Sequence, residues 1–209
     1  MIITKFPEPF EAIYIEETFD SDQLEFIWKE LEFITNRNAM TSWQNTKERL
    51  GEDIEAEKVN NVFYPLVQYT NPYAMSPLTA LSYRQLCNEE VFSFYESINP
   101  VHSLYRYQNT HVTFASYYQD ADRYDYHRDN CCYTTLTYLF KDPKSFSGGE
   151  ITLRVNDIEE TKEIKNNMSI IFPGSYQHKV SPISMNDSFG KYSTYGRYCI
   201  SQFTYLQPK

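Results

Sequence analysis

The 209-residue chain has no CxxC pair, no run of lysine or arginine, and no apolar stretch approaching the roughly 18 to 20 residues that span a bilayer. Each absence removes a class of protein. Without CxxC spacing, and with two of the four cysteines adjacent, Cys87, Cys131, Cys132 and Cys199 read as thiols in a reducing compartment. Without a basic cluster, and with 28 acidic against 19 basic residues for a formal net charge of -9, a surface for a polyphosphate backbone is disfavoured. A nucleic-acid partner is therefore not expected, although a small anion can still be bound locally. The N-terminal segment places Pro7, Glu8 and Pro9 where a secretory signal needs an apolar core, so a cytoplasmic location is expected, with no membrane partner. No linker, internal repeat or low-complexity tract divides the chain, and one domain over residues 1–209 is expected.

Aromatic residues are abundant at 17%, 19 of them tyrosine. Tyrosine combines an apolar ring with a polar tip, which suits strands set between a core and a wet cleft. The first half of the chain is organised differently from the second. Residues 10–19 read as a strand leading into Asp20-Ser21-Asp22, whose side chains cap a helix start. Leu24, Ile27, Trp28, Leu31 and Ile34 follow at helical spacing, predicting an amphipathic helix over 22–35. A short helix is expected at 46–58, a loop with a strand near Val62-Phe63-Tyr64 at 60–75, and one or two helices over 76–99 with Asn88 as the break.

After Pro100 helical periodicity disappears. Short aromatic and β-branched runs fall at 102–108, 111–118, 132–140, 150–155, 161–164, 168–172, 177–183 and 197–206. This pattern predicts a mainly β, α+β protein. Helices and an irregular, substrate-side segment over 1–100 back a jelly-roll (cupin-like) core over 101–209.

Within that core, His127 and Asp129 stand two apart in Tyr124-Asp125-Tyr126-His127-Arg128-Asp129, and in an extended segment such residues share a face. Some fifty residues later His178 opens another run after Pro173-Gly174. Two histidines and a carboxylate on one face of an octahedron leave positions free for substrates. Arg197 opens the last strand, and its planar fork suits a carboxylate.

These residues and their order resemble the iron(II) and 2-oxoglutarate-dependent oxygenases, and among them the prolyl 4-hydroxylase branch. The matching stretches are Tyr124-xx-His127-x-Asp129, Thr135-x-Thr137-Tyr138-Leu139, Gly148-Gly149-Glu150-Ile151-x-Leu153, Phe172-Pro173-Gly174 with His178-x-Val180-x-Pro182, and Gly196-Arg197-Tyr198. The resemblance spans roughly residues 110–206 and implies a double-stranded β-helix. It also implies that His127, Asp129 and His178 ligate Fe(II), and that Arg197 pairs with the distal carboxylate of 2-oxoglutarate. Tyr117 and Thr137 would supply further co-substrate contacts. The implied reaction uses O2 to convert 2-oxoglutarate to succinate and carbon dioxide while hydroxylating a C–H bond, with ascorbate an accessory reductant in some members. A carboxylate at Asp129 favours hydroxylation over halogenation. A peptidyl proline or related peptidyl side chain is the first expected substrate, and a free amino acid or small metabolite the second. Nucleic-acid demethylation ranks third, because Cys199 and Phe203 stand where that branch would show the Asn and second Arg of RxNxxxR.

The chain departs from the pattern between His178 and Arg197, where residues 185–195 lengthen the connection into an expected loop near the site mouth. With that insertion, Lys179 and Lys191 are the alternatives to Arg197. Two other functions compete. Zinc hydrolysis would use the same ligands but leaves Arg197 unexplained, and no second His or Glu stands near them in sequence to serve as base. A catalytically silent binding module would retain the cleft without the chemistry. His102 and His111 read as ordinary hydrogen-bonded histidines, and the sequence does not decide the oligomeric state.

Overall fold

The computed structural model describes residues 1–36, 40–42, 59–60, 62–65, 72–108, 110–186, 189–190 and 192–206. The helix expected at 46–58 lies outside the described residues. The chain opens with β1 (Ile2–Lys5) and β2 (Ile13–Glu16), then α1 (Ser21–Asn36). Asp20 accepts from the amide of Gln23 at 2.9 Å while the Gln23 side chain accepts from the amide of Asp20 at 3.2 Å. This reciprocal capping stabilises a helix start by about 1 kcal/mol.

Short strands β3 (Thr41–Ser42), β4 (Val59–Asn60) and β5 (Val62–Pro65) precede helices α2 (Pro72–Met75), α3 (Pro77–Leu86) and α4 (Glu89–Ile98). Asn88 does break the helical region: its side chain accepts from the amides of Glu90 and Val91 and starts α4. Residues 100–107, expected within a strand run beginning at 102, instead form a 3-10 helix. The local chemistry explains the difference. Asn99 caps the amide of Val101, Pro100 sits in the first turn, and His102 and Tyr105 bury one face at a spacing of three.

The remaining strands are β6 (Thr110–Tyr118), β7 (Arg123–His127), β8 (Tyr133–Leu139), β9 (Phe146–Gly148), β10 (Ile151–Val155), β11 (Ile158–Lys162), β12 (Met168–Pro173), β13 (Gln177–Val180), β14 (Ile183–Met185) and β15 (Arg197–Tyr205). Among the described residues, eight strands form the larger sheet in the order β1-β2-β12-β8-β15-β6-β5-β3. Five form the facing sheet, β11-β10-β13-β7-β4, and β14 pairs with β9 in a separate ribbon. The fold is a double-stranded β-helix, with antiparallel pairs throughout the two large sheets.

Strand β8 is buried along its whole length because both faces of the larger sheet are covered. On the outer face Ile27, Leu31 and Ile34 of α1 and Leu78 of α3 pack against Ala115, Tyr117, Leu139, Tyr198 and Ile200. On the inner face Leu136, Tyr138, Ile170, Phe172 and Cys199 meet Ile151, Leu153 and Val180 of the smaller sheet. The period of two along each strand decides which residues reach the interior. Along β15, Tyr198 and Ile200 go to the helices, while Arg197 and Cys199 face the space between the sheets.

Candidate active site

His127 ends β7 and His178 lies near the start of β13, and the two are direct cross-strand partners. Adjacent antiparallel strands therefore bring together residues some fifty positions apart. Asp129 follows two residues after His127, and its amide donates to the carbonyl of Gly174 in the turn between β12 and β13 at 3.0 Å. One ligand atom from each of the three side chains lies within 4.8 Å of the others.

Each ring is held by its far nitrogen. His127 Nδ1 lies 2.9 Å from the carbonyl of Asp125, and His178 Nδ1 lies 3.1 Å from that of Tyr176. A carbonyl only accepts, so the proton sits on Nδ1 and the lone pair on Nε2. Both Nε2 atoms face the carboxylate, at 3.7 Å from Asp129 Oδ1 and 3.4 Å from Oδ2. Tyr124 stacks on His127 with centroids 3.5 Å apart, and Phe172 meets His178 edge-on. Thr134 donates its hydroxyl to Asp129 Oδ2 at 2.5 Å.

Burial lowers the His178 pKa to about 4, against a smaller raising effect from its bond to the Tyr176 carbonyl, so this imidazole is neutral at neutral pH. Burial raises the Asp129 pKa, opposed by the neighbouring His127 and by the Thr134 hydroxyl. Three converging donors, with one carboxylate partly starved of water, form a set suited to a divalent cation.

Beside them lies a cavity of about 260 Å³, bordered by Tyr118, Leu136, Cys199, Phe114 and Phe203 as well as by the three candidate ligands. Arg197 is on the same face of β15 as Cys199 and Phe203. It is fully buried, and its guanidinium carbon lies 4.0 Å from the Tyr118 ring centroid and 5.2 Å from that of Tyr138. Nη1 donates to the Gly149 carbonyl at 2.6 Å, while Nε and Nη2 have no hydrogen-bond partner among the described residues. Arg197 does not itself border the cavity; leaving a buried cation so under-satisfied costs on the order of several kcal/mol, which an anion reaching its free donors would offset. Gly148 and Gly149 both have φ of +76°, and a Cβ on Gly148 would lie 2.0 Å from the Pro182 carbonyl oxygen. Only glycine permits that turn.

Two expected contacts are corrected. Tyr117 and Thr137 face away from the cavity because they fall on the other parity of β6 and β8. Tyr117 packs under α1 and its hydroxyl accepts from the amide of Gly196 at 3.0 Å. Thr137 bonds Ser169 at 2.7 Å on the outer face. Their neighbours Tyr118 and Tyr138 occupy the inner face beside Arg197 instead. The signal was in the sequence: Tyr138 is two residues from Leu136 and four from Thr134, on one strand face. Lys179 also points outward, its amine 4.6 Å from the Tyr126 ring centroid, and Lys191 lies outside the described residues. The described part of 185–195 does not reach the cavity. Tyr195 lies over Lys141, which donates to Thr194 and pairs with Glu32 of α1.

Residues 112–205 match the 2OG-Fe(II) oxygenase superfamily. The resemblance read from the motifs is borne out over this stretch, which runs from within β6 to the end of β15. No curated protein matches the chain. Among solved structures, a prolyl hydroxylase from Trichoplax adhaerens, in complex with a hypoxia inducible factor oxygen degradation domain peptide fragment, aligns with a TM-score of 0.64 at 13% identity, over 94% of this chain and 84% of that one. A Pseudomonas putida prolyl-4-hydroxylase aligns with a TM-score of 0.59 at 10% identity, over 96% and 95% of the two chains. A 2OG-Fe(II) oxygenase family oxidoreductase from Burkholderia pseudomallei aligns with a TM-score of 0.58 at 11% identity, over 94% and 86%. At these identities the structures speak for the fold. Among the described residues, no helix is long and apolar enough to cross a membrane.

Proposed function

We propose that this oxygenase is an Fe(II)- and 2-oxoglutarate-dependent hydroxylase whose first substrate class is a peptidyl proline or related peptidyl side chain. The observation that carries the proposal is Arg197, a fully buried guanidinium with two unpartnered donors, lying on the strand face that also borders the cavity beside His127, Asp129 and His178. A hydrolytic metal site gives that arginine no task; a dicarboxylate co-substrate gives it one. In this reading the Nε2 atoms of His127 and His178 and the carboxylate of Asp129 hold Fe(II). Bound iron supplies the activation of O2 that couples oxidative decarboxylation of 2-oxoglutarate to C–H hydroxylation.

The chain's own residues do the positioning. Asp125 and Tyr176 carbonyls keep both imidazoles in the tautomer that presents Nε2, and Thr134 fixes the carboxylate. Arg197 Nε and Nη2 receive the distal carboxylate of 2-oxoglutarate, while the Tyr118 and Tyr138 rings flank the guanidinium and keep water from it. Phe114 and Phe203, edge-on at 5.8 Å, give the cavity an apolar wall against which a substrate ring or aliphatic chain can lie. The fold likeness to a prolyl hydroxylase holding a peptide supports the peptidyl class. The modest cavity of about 260 Å³ supports a second reading, a free amino acid or small metabolite taken in whole.

The test is succinate release from 2-oxoglutarate by the full chain with Fe(II), screened across proline-rich peptides and free amino acids. Turnover is expected, rising with the correct substrate and abolished in His127→Ala. A wild-type protein that binds neither Fe(II) nor 2-oxoglutarate would overturn the proposal in favour of a binding module.

A further inference from the structure

Arg128 stands between His127 and Asp129 and has no part in the reading above. Its side chain is exposed, yet it borders both the cavity beside the candidate ligands and a second, polar hollow of about 270 Å³ beside the β10–β11 turn. Its Nε donates to the carbonyl of Ser175 at 3.0 Å. That bond fixes the guanidinium and uses one of its five N–H donors, leaving the Nη pair, the edge that matches a carboxylate in two parallel bonds.

Neither Nη has an acidic partner among the described residues, whereas Arg106, Arg123 and Arg154 pair with Glu89, Asp125 and Glu159. In the second hollow, Arg154 is committed to Glu159, and Asp157, on the tight turn, makes no ion pair with Arg128. Asn156 and Gln177 add neutral polar groups to the lining. A chain with a formal net charge of -9 repels acids at long range, so an oriented, unpaired cation one residue from two candidate metal ligands is a specific local exception.

We propose that Arg128 is a specificity-determining residue that holds a carboxylate of the substrate, so that the substrate is an acid. The carboxylate is either the α-carboxylate of a free amino acid or an acidic group close to the reacting residue of a peptide. This rests on the oxygenase reading and narrows its substrate class. The guanidinium binds the carboxylate end-on and lets the rest of the substrate run inward along Phe114 and Phe203.

Equilibrium binding tests the proposal without catalysis. The full chain, with Mn(II) in place of iron and with 2-oxoglutarate, is titrated calorimetrically with two probe pairs: proline against prolinamide, and N-acetyl-prolyl-glutamate amide against its glutamine counterpart. In at least one pair the acid is expected to bind about tenfold more tightly than the neutral probe, a preference weakened by salt. Arg128→Gln should bring the pair within about twofold, and Arg128→Lys, which keeps the charge without the fork, should fall between. The pair that responds distinguishes a free amino acid from a peptide. Equal binding within both pairs, no measurable binding of either acid, or an equal loss for acid and neutral probe in Arg128→Gln overturns the proposal, provided Mn(II) and 2-oxoglutarate bind. If they do not bind, the oxygenase reading fails instead.

Discussion

Thr134 joins two parts of the protein through one hydroxyl. It is buried on the inner face of β8, donates to Asp129 Oδ2, and lies 3.3 Å from the Cys131 sulfur. Thr134→Val keeps the shape and removes the donor, leaving the carboxylate free to turn. Metal affinity should fall by roughly 10- to 100-fold, measured by Mn(II) titration, with little change in thermal unfolding of the metal-free protein. His178 supplies a second residue-scale prediction. Its pKa is depressed in the folded state to about 4, so the unfolded chain binds the extra proton first as pH falls below the ordinary histidine value near 6.5. Stability of the metal-free protein is then complete above that value and declines between pH 6.5 and about 4, by up to roughly 3 kcal/mol. Denaturant titrations across that range check it; His178→Gln should flatten the decline.

At the scale of elements, the parity of β6 separates two adjacent tyrosines into different tasks. Tyr117→Phe loses the bond to the Gly196 amide under α1 and should cost about 1 kcal/mol of stability, leaving 2-oxoglutarate affinity unchanged. Tyr118→Ala removes the ring over Arg197 and should weaken 2-oxoglutarate binding in the same titration. The turn between β12 and β13 is equally specific. A Cβ on Gly174 would lie 2.5 Å from the Cys131 carbonyl oxygen, and the Gly174 carbonyl holds the amide of Asp129. Gly174→Ala should therefore lower both thermal stability and metal affinity.

These elements also show what the sequence made legible. Short aromatic and β-branched runs mark β6, β8, β10, β12, β13 and β15, and the order of motifs along the chain singles out His127, Asp129, His178 and Arg197. Tyr117 and Thr137 are expected contacts by resemblance, but one residue along a strand reverses the face, and it is Tyr118 and Tyr138 that share the inner face with Arg197. The 3-10 helix at 100–107 is not legible in the sequence because its aromatic content resembles a strand, while its start is set by Asn99 and Pro100. The destination of the 185–195 connection was hidden, since Lys141 and Glu32, which receive it, come from distant parts of the chain.

For the whole molecule, the cross-strand pairing of His127 with His178 has a mechanical meaning. β7 and β13 meet through few regular pairs, with a shift in register between His178 and Val180, and the β12–β13 turn is tied to Asp129 by one backbone bond. A cation shared by the three side chains would rivet both strands and that turn together, so loading the site would also set how often the smaller sheet opens. Amide hydrogen exchange in β7 and β13 should slow on adding Mn(II), while β8 and β12, covered on both faces, should exchange slowly with or without it. The irregular seam between β7 and β13 is thus the one a metal would close.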